Sequence, residues 1–73
     1  MSLPEMFPVS SLNIDSIGYE EENQEVYVRF LNNTLYVYKG VPLHIFEGFR
    51  NAPSQGVYLN GNIKNVYPFD RIE

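Results

Sequence analysis

Val26-Tyr27-Val28-Arg29-Phe30-Leu31-Asn32-Asn33-Thr34-Leu35-Tyr36-Val37-Tyr38 decides the fold. Two alternating runs of β-branched and aromatic residues flank a polar Asn pair, which is the pattern of a β-hairpin. The register of that hairpin determines which side chains remain available for function. With Asn32-Asn33 as a two-residue loop, Phe30 faces Leu35 and Val28 faces Val37. One face is then aliphatic and the other carries Tyr27, Arg29, Tyr36 and Tyr38. With Leu31-Asn32-Asn33 as a bulged loop and Asn33 left-handed, Phe30 faces Thr34, Val28 faces Tyr36 and Val26 faces Tyr38. Val26, Val28, Phe30, Tyr36 and Tyr38 then share one face, and Tyr27, Arg29, Leu35 and Val37 share the other. A slip of one residue turns every side chain of a strand over, so the readings exclude each other. Asn suits either loop because it tolerates left-handed dihedrals. The bulged loop is favoured because it gathers the bulkiest residues into one core.

Working toward the N-terminus, Ile17-Gly18-Tyr19 alternates as a first strand, with Ile14 a further apolar point. Gly18 within it signals a bulge or the close approach of another group. Glu21-Glu22-Asn23-Gln24 is a polar turn back into Val26, completing a three-stranded antiparallel meander. Residues 1–9, with Pro4 and Pro8 and no sustained period, read as a flexible arm before a single domain over residues 10–73. Met1-Ser2-Leu3 fits a cloning remnant as well as a native start.

Toward the C-terminus, Pro42 suits the first turn of a helix. Leu43, Ile45, Phe46 and Phe49 follow at spacings of three and four, an apolar stripe. Asn51-Ala52-Pro53 stops that helix, and Ser54 is placed to cap a second in which Leu59 and Ile63 lie one turn apart. Val66-Tyr67-Pro68-Phe69 reads as an extended tail. The expected fold is therefore α+β, a three-stranded meander covered on one face by two short helices. Its predicted core is Val26, Val28, Phe30, Tyr36, Tyr38, Ile45, Phe46, Phe49, Leu59 and Ile63.

The chain has 73 residues, no Cys and eleven Tyr and Phe residues. A core this small relies on aromatic burial, since no disulfide assists it. No apolar run approaches a membrane span and the N-terminus lacks the form of a signal peptide, so a cytoplasmic protein is expected. Net charge is −4, which argues against a domain dominated by phosphate contacts. The charge is nevertheless uneven. Residues 1–25 hold six acids and no base, whereas residues 26–72 hold Arg29, Lys39, Arg50, Lys64 and Arg71 against Glu47 and Asp70. The run Glu20-Glu21-Glu22 is expected to be a solvated turn.

Ser10-Ser11 through Asn13-Ile14, Ser16-Ile17-Gly18-Tyr19, Val-x-Val-x-Phe at 26–30, Tyr36-Val37-Tyr38, Gly40-Val41-Pro42, Ala52-Pro53-Ser54 with Gly56, and Tyr58 to Ile63 together resemble the KTSC domain. That module occurs at the C-terminus of some lysyl-tRNA synthetases and as a free-standing small bacterial protein. The resemblance spans about residues 10–72. It implies a binding module for which RNA binding has been suggested from the synthetase context, and it puts the Tyr-x-Tyr signature on Tyr36 and Tyr38. Family members often carry a polar residue between those tyrosines, which supports the bulged register. This chain departs by having Val37 and Tyr27 on the outer side, and Leu59 where an aromatic is common.

Enzymatic chemistry finds little support. His44 is the single His, with Glu47 three positions on, and a metal site needs three or four ligands. Ser10, Ser11, Ser16 and Ser54 lack a base at recognisable spacing, and the glycines form no phosphate loop. A non-enzymatic module without metal or cofactor is the expectation, and two binding modes remain open. RNA, including tRNA, would stack on sheet-borne tyrosines and track Arg29, Lys39, Arg50, Lys64 and Arg71, with Tyr67 beside the polar cluster of Asn60, Asn62, Lys64 and Asn65. The competing expectation buries Tyr36 and Tyr38 as core. It leaves Tyr27, Leu35 and Val37 as a semi-apolar outer patch around Arg29 for a protein partner or a homodimer.

Overall fold

The central hairpin adopts the bulged loop. In the computed structural model, which describes residues 3–73, the Phe30 N–H donates to the Thr34 carbonyl at 2.9 Å and the Asn33 N–H to the Phe30 carbonyl at 2.9 Å. Asn33 takes the left-handed φ of 72° that this loop requires. Val28 consequently faces Tyr36, and Val26 faces Tyr38. Met1 and Ser2, the start of the expected N-terminal arm, lie outside the described residues.

The architecture is an antiparallel sheet with two helices, but the sheet has five strands rather than three. They run in sequence order as β1 (Met6–Pro8), β2 (Ile14–Glu20), β3 (Glu25–Phe30), β4 (Leu35–Lys39) and β5 (Phe69–Arg71). The two additional strands are three residues each, too short to carry a period. The segment expected as a free arm pairs Met6 with Gly18 and Pro8 with Ser16. The segment expected as a tail pairs Phe69 with Tyr38 and Arg71 with Tyr36. Gly18 is explained by this arrangement: a Cβ there would lie 2.7 Å from both the Glu5 carbonyl oxygen and the Met6 sulfur.

A bulge at Asp15 shifts the β2–β3 register, so Ile14 and Ile17, three residues apart, both reach the inner face. The Glu20 carboxylate accepts the N–H groups of Glu22 and Asn23, each at 2.9 Å, and so closes the acidic turn in solvent.

Two helices lie on the inner face, α1 (Leu43–Asn51) and α2 (Gln55–Tyr58), followed by a π turn at Leu59–Ile63. Pro42 accepts the N–H groups of Ile45 and Phe46 and opens α1. Ser54 caps α2, its Oγ accepting the Val57 N–H at 3.3 Å. Ile14, Ile17, Val26, Val28, Tyr38, Val41, Phe46, Phe49, Leu59 and Ile63 form the core, with Phe30, Tyr36 and Ile45 packed at its margin. Tyr19 stacks on Phe46 at 5.0 Å and donates its hydroxyl to the Val41 carbonyl at 2.7 Å.

The outer face differs from expectation. Leu35 is fully buried and Val37 is 4 % exposed, so the anticipated patch of Tyr27, Leu35 and Val37 is not open apolar surface. The cause is β5. It adds Asp70 opposite Val37 and brings two ion pairs to this face, Lys39–Asp70 and Arg29–Glu73, each at 2.6 Å.

Candidate functional site

The inner face is not covered along its whole width. The core under the helices takes in inner-face residues of β2 and β3 and Tyr38 near the end of β4, while Tyr36 and the β5 residue Phe69 remain partly open. Between β5 and the π turn runs a groove of about 320 Å3 lined by Asn13, Phe30, Asn32, Thr34, Tyr36, Tyr38, Leu59, Asn60, Lys64 and Phe69. Its volume falls in the range of small-molecule sites, roughly 300–1,000 Å3.

The bulged register aims Phe30, Tyr36 and Tyr38 into this groove, and β5 contributes Phe69 from the same face. The rings form a continuous aromatic floor. Phe30 meets Tyr36 edge-on at 5.5 Å, Tyr36 stacks beside Tyr38 at 6.4 Å, and Phe69 tilts against both, at 5.6 and 5.8 Å. The tyrosines divide their roles. Tyr38 is buried in the core, and burial, reinforced by neighbouring Tyr36, pushes its phenol above the ordinary tyrosine value. Tyr36 is half-buried and Phe69 is 52 % exposed, so both present ring surface to a ligand.

The polar rim is held by local hydrogen bonding. Ser11 Oγ accepts the N–H groups of Asn13 and Ile14, at 3.3 and 3.2 Å, and donates to Asn13 Oδ1 at 3.1 Å. Asn32 Oδ1 accepts both the N–H and the hydroxyl of Thr34, at 3.2 and 2.7 Å. On the opposite wall the π turn is closed by the Lys64 N–H donating to the Leu59 carbonyl at 2.7 Å. Leu59 and Ile63 point into the core from that turn, whereas Asn60 and Lys64 border the groove.

The five cations separate into two sets. Arg29 and Lys39 are on the outer face, each paired with a carboxylate, and the contact with Asp70 raises the Lys39 pKa. Arg50 lies over the Phe7 ring, 3.9 Å from its centroid, at the β1 edge and thus across the sheet from the groove. Lys64 borders the groove and, among the described residues, makes no ion pair. Arg71 is opposite Tyr36 on the groove-side face of β5, its Nε donating to the Glu73 carbonyl at 3.0 Å. Tyr67 packs against the core next to the π turn. Of the cations singled out in the sequence, the fold brings Lys64 to the rim of the aromatic groove, places Arg71 on the same face of the sheet outside the lining, and takes Arg29, Lys39 and Arg50 away from it.

Phe69, Asn13, Asn32 and Thr34 are the groove residues to which sequence reasoning gave neither a core nor a functional role. The alternation Phe69-Asp70-Arg71 is a short strand signal that a three-residue element carries only weakly. Both asparagines read as turn residues, which they also are. A second hollow, between Ser10–Asn13 and Pro53–Val57, is bordered by serines, of which Ser11 and Ser54 spend their hydroxyls on backbone N–H groups. His44 is exposed on α1. Among the described residues no three His, Asp or Glu side chains cluster as metal ligands, and no helix is long and apolar enough to cross a membrane.

The KTSC domain family model matches residues 10–67. The chain is similar to the crystal structure of a KTSC domain protein from Yersinia pestis, with a TM-score of 0.91 and 35% identity over 94% of this chain and 97% of that one. A protein from Tsukamurella paurometabola is 36% identical over 59 residues, 81% of this chain and 88% of its own length. A lysine–tRNA ligase from Nostoc punctiforme is 31% identical over 72 residues, which is 99% of this chain but 13% of the ligase.

Proposed function

The chain belongs to the KTSC domain family, and we propose that it is a non-enzymatic module that binds single-stranded RNA through the aromatic groove. The observation that carries this reading is the coincidence of half-exposed rings with the cations Lys64 and Arg71 on one side of the sheet. The outer-face cations are engaged by Glu73 and Asp70. Single-stranded RNA is bound by stacking unpaired bases on aromatic rings while basic groups take the phosphates. The similarity to a region of a lysine–tRNA ligase supports RNA, tRNA among its forms, as the partner class. A homodimer or protein complex on the outer face is supported less well, because Leu35 and Val37 are already buried there.

Fluorescence anisotropy with labelled single-stranded RNA and with tRNA tests the proposal. Tyr36→Ala is expected to weaken binding by on the order of ten- to a hundredfold, the worth of a stacked base. Lys64→Ala weakens it further in low salt, whereas Arg29→Ala leaves it unchanged. Two phosphate contacts predict a shallow salt dependence, about sevenfold for a roughly fourfold rise in salt. Equal losses from Arg29→Ala and Lys64→Ala, or no RNA binding at all, reject the groove as an RNA site.

A further inference from the structure

We infer that the groove selects a base with two carbonyl acceptors, uracil, over adenine and cytosine. This rests on the reading of the groove as an RNA site and specifies what that site recognises. The backbone determines how the rim amides are oriented. Asn32 Oδ1 accepts a backbone N–H, that of Thr34, so the oxygen of this amide is turned inward and its NH2 is left for a ligand. Ser11 Oγ already accepts two backbone N–H groups, so its own hydrogen has to go to Asn13, and the atom receiving it has to be the oxygen. The Asn13 NH2 is therefore also left over. Neither NH2 group donates to a protein atom among the described residues.

Two asparagines from separate loops thus border one groove with their carbonyl oxygens turned to protein donors and their NH2 groups available, and Lys64 adds a third donor. A flat ligand on the Tyr36–Phe69 floor then meets a rim that favours acceptors. Uracil offers its O2 and O4 carbonyl oxygens, with the N3–H between them. Asn60, exposed on the rim and without a side-chain hydrogen bond among the described residues, supplies an acceptor for that N–H. Cytosine and adenine each present an exocyclic amine where uracil carries O4, which sets donor against donor at the Asn13 and Asn32 NH2 groups. The Lys64 ammonium suits the adjoining phosphate.

Replacing either amide by a carboxylate separates its two roles. Asn32→Asp keeps the oxygen that Thr34 requires and removes only the NH2, and Asn13→Asp does the same for Ser11. The test measures binding of short oligouridine, oligoadenosine and oligocytidine to the wild-type chain and to both variants, with folding monitored by circular dichroism. The added negative charge lowers affinity for all three oligomers alike, so the readout is their ratio. The wild type is expected to prefer oligouridine by about fivefold or more, and each variant to lose about fivefold of that preference, the worth of one hydrogen bond. Equal binding of the three oligomers, or a preference that survives both variants, overturns the base selectivity and leaves the RNA reading standing. Absence of binding to every oligomer overturns both.

Discussion

Gly48 shows how a single residue sets the helical layer. A Cβ at this position would overlap the Tyr58 hydroxyl and come within 3.0 Å of its ring carbon. The absence of a side chain lets Tyr58 lie across α1, stack on Phe49 at 5.8 Å and donate to the Ile45 carbonyl at 2.9 Å. Helix propensity alone says that Gly48→Ala stabilises by about 1 kcal/mol. Overpacking opposes it by roughly 1–3 kcal/mol. Because Tyr58 also loses its hydrogen bond when displaced, Gly48→Ala is expected to lower the urea midpoint, and a raised midpoint would contradict this packing. Gly48 reads from the sequence only as a weak point in a helix, since Tyr58 approaches it through space. Asn33 is the opposite case. Its left-handed φ follows from its place between two alternating runs, and so does the register it enforces.

At the scale of elements, β5 determines what both faces of the sheet can do. On its inner side Phe69 builds one wall of the groove, and Arg71 shares that face opposite Tyr36. Its outer side, with Glu73, supplies the carboxylates that engage Lys39 and Arg29. The strand is held by backbone bonds from Lys39 N–H to the Pro68 carbonyl, Leu35 N–H to the Glu73 carbonyl and Ile72 N–H to the Leu35 carbonyl, at 2.9, 3.1 and 2.7 Å. The Arg29–Glu73 pair is partly exposed and adds at most about 1 kcal/mol. Removing residues 69–73 deletes the Glu73 and Ile72 bonds to Leu35 and is expected to cost on the order of 2–4 kcal/mol and to abolish groove binding. Denaturation and anisotropy on the shortened chain measure the two effects, and a truncated chain that still binds RNA as tightly would show that β5 is not part of the site.

The whole molecule is a sheet with aromatic rings at several depths, and this makes its stability sensitive to alkali. Burial raises the phenol pKa of Tyr38, with Tyr36 adding to it; burial and then Glu21 and Glu20 raise that of Tyr19; burial and then Glu25 raise that of Tyr27. The unfolded chain ionises these groups near pH 10. Below that pH their contribution is fully present, and it is lost as pH rises through the higher folded values. The denaturation midpoint is therefore expected to be insensitive to these groups between neutrality and about pH 9 and to fall beyond about pH 10. Tyrosinate absorbance should rise in the native protein later than in urea. A midpoint that does not move up to about pH 11 would mean that the rings are accessible to water.

Local pattern was sufficient for the meander, the two helices, the Ser54 cap and the division of β3 and β4 into two faces, because each depends on contacts a few residues apart or on strict alternation. Val26, Val28, Tyr38, Phe46, Phe49, Leu59 and Ile63 read as core for the same reason, whereas Ile14, Ile17 and Val41 complete the core from positions outside the expected set. Tertiary pairing alone decided that residues 6–8 and 69–71 are strands, because three residues carry no period and gain their hydrogen bonds only from a partner already in place. That pairing buried Leu35 and Val37, sorted the cations and opened the groove. Which rings and which donors meet there is a property of chain segments more than thirty residues apart, from Phe30 to Phe69, and only the folded sheet brings them together.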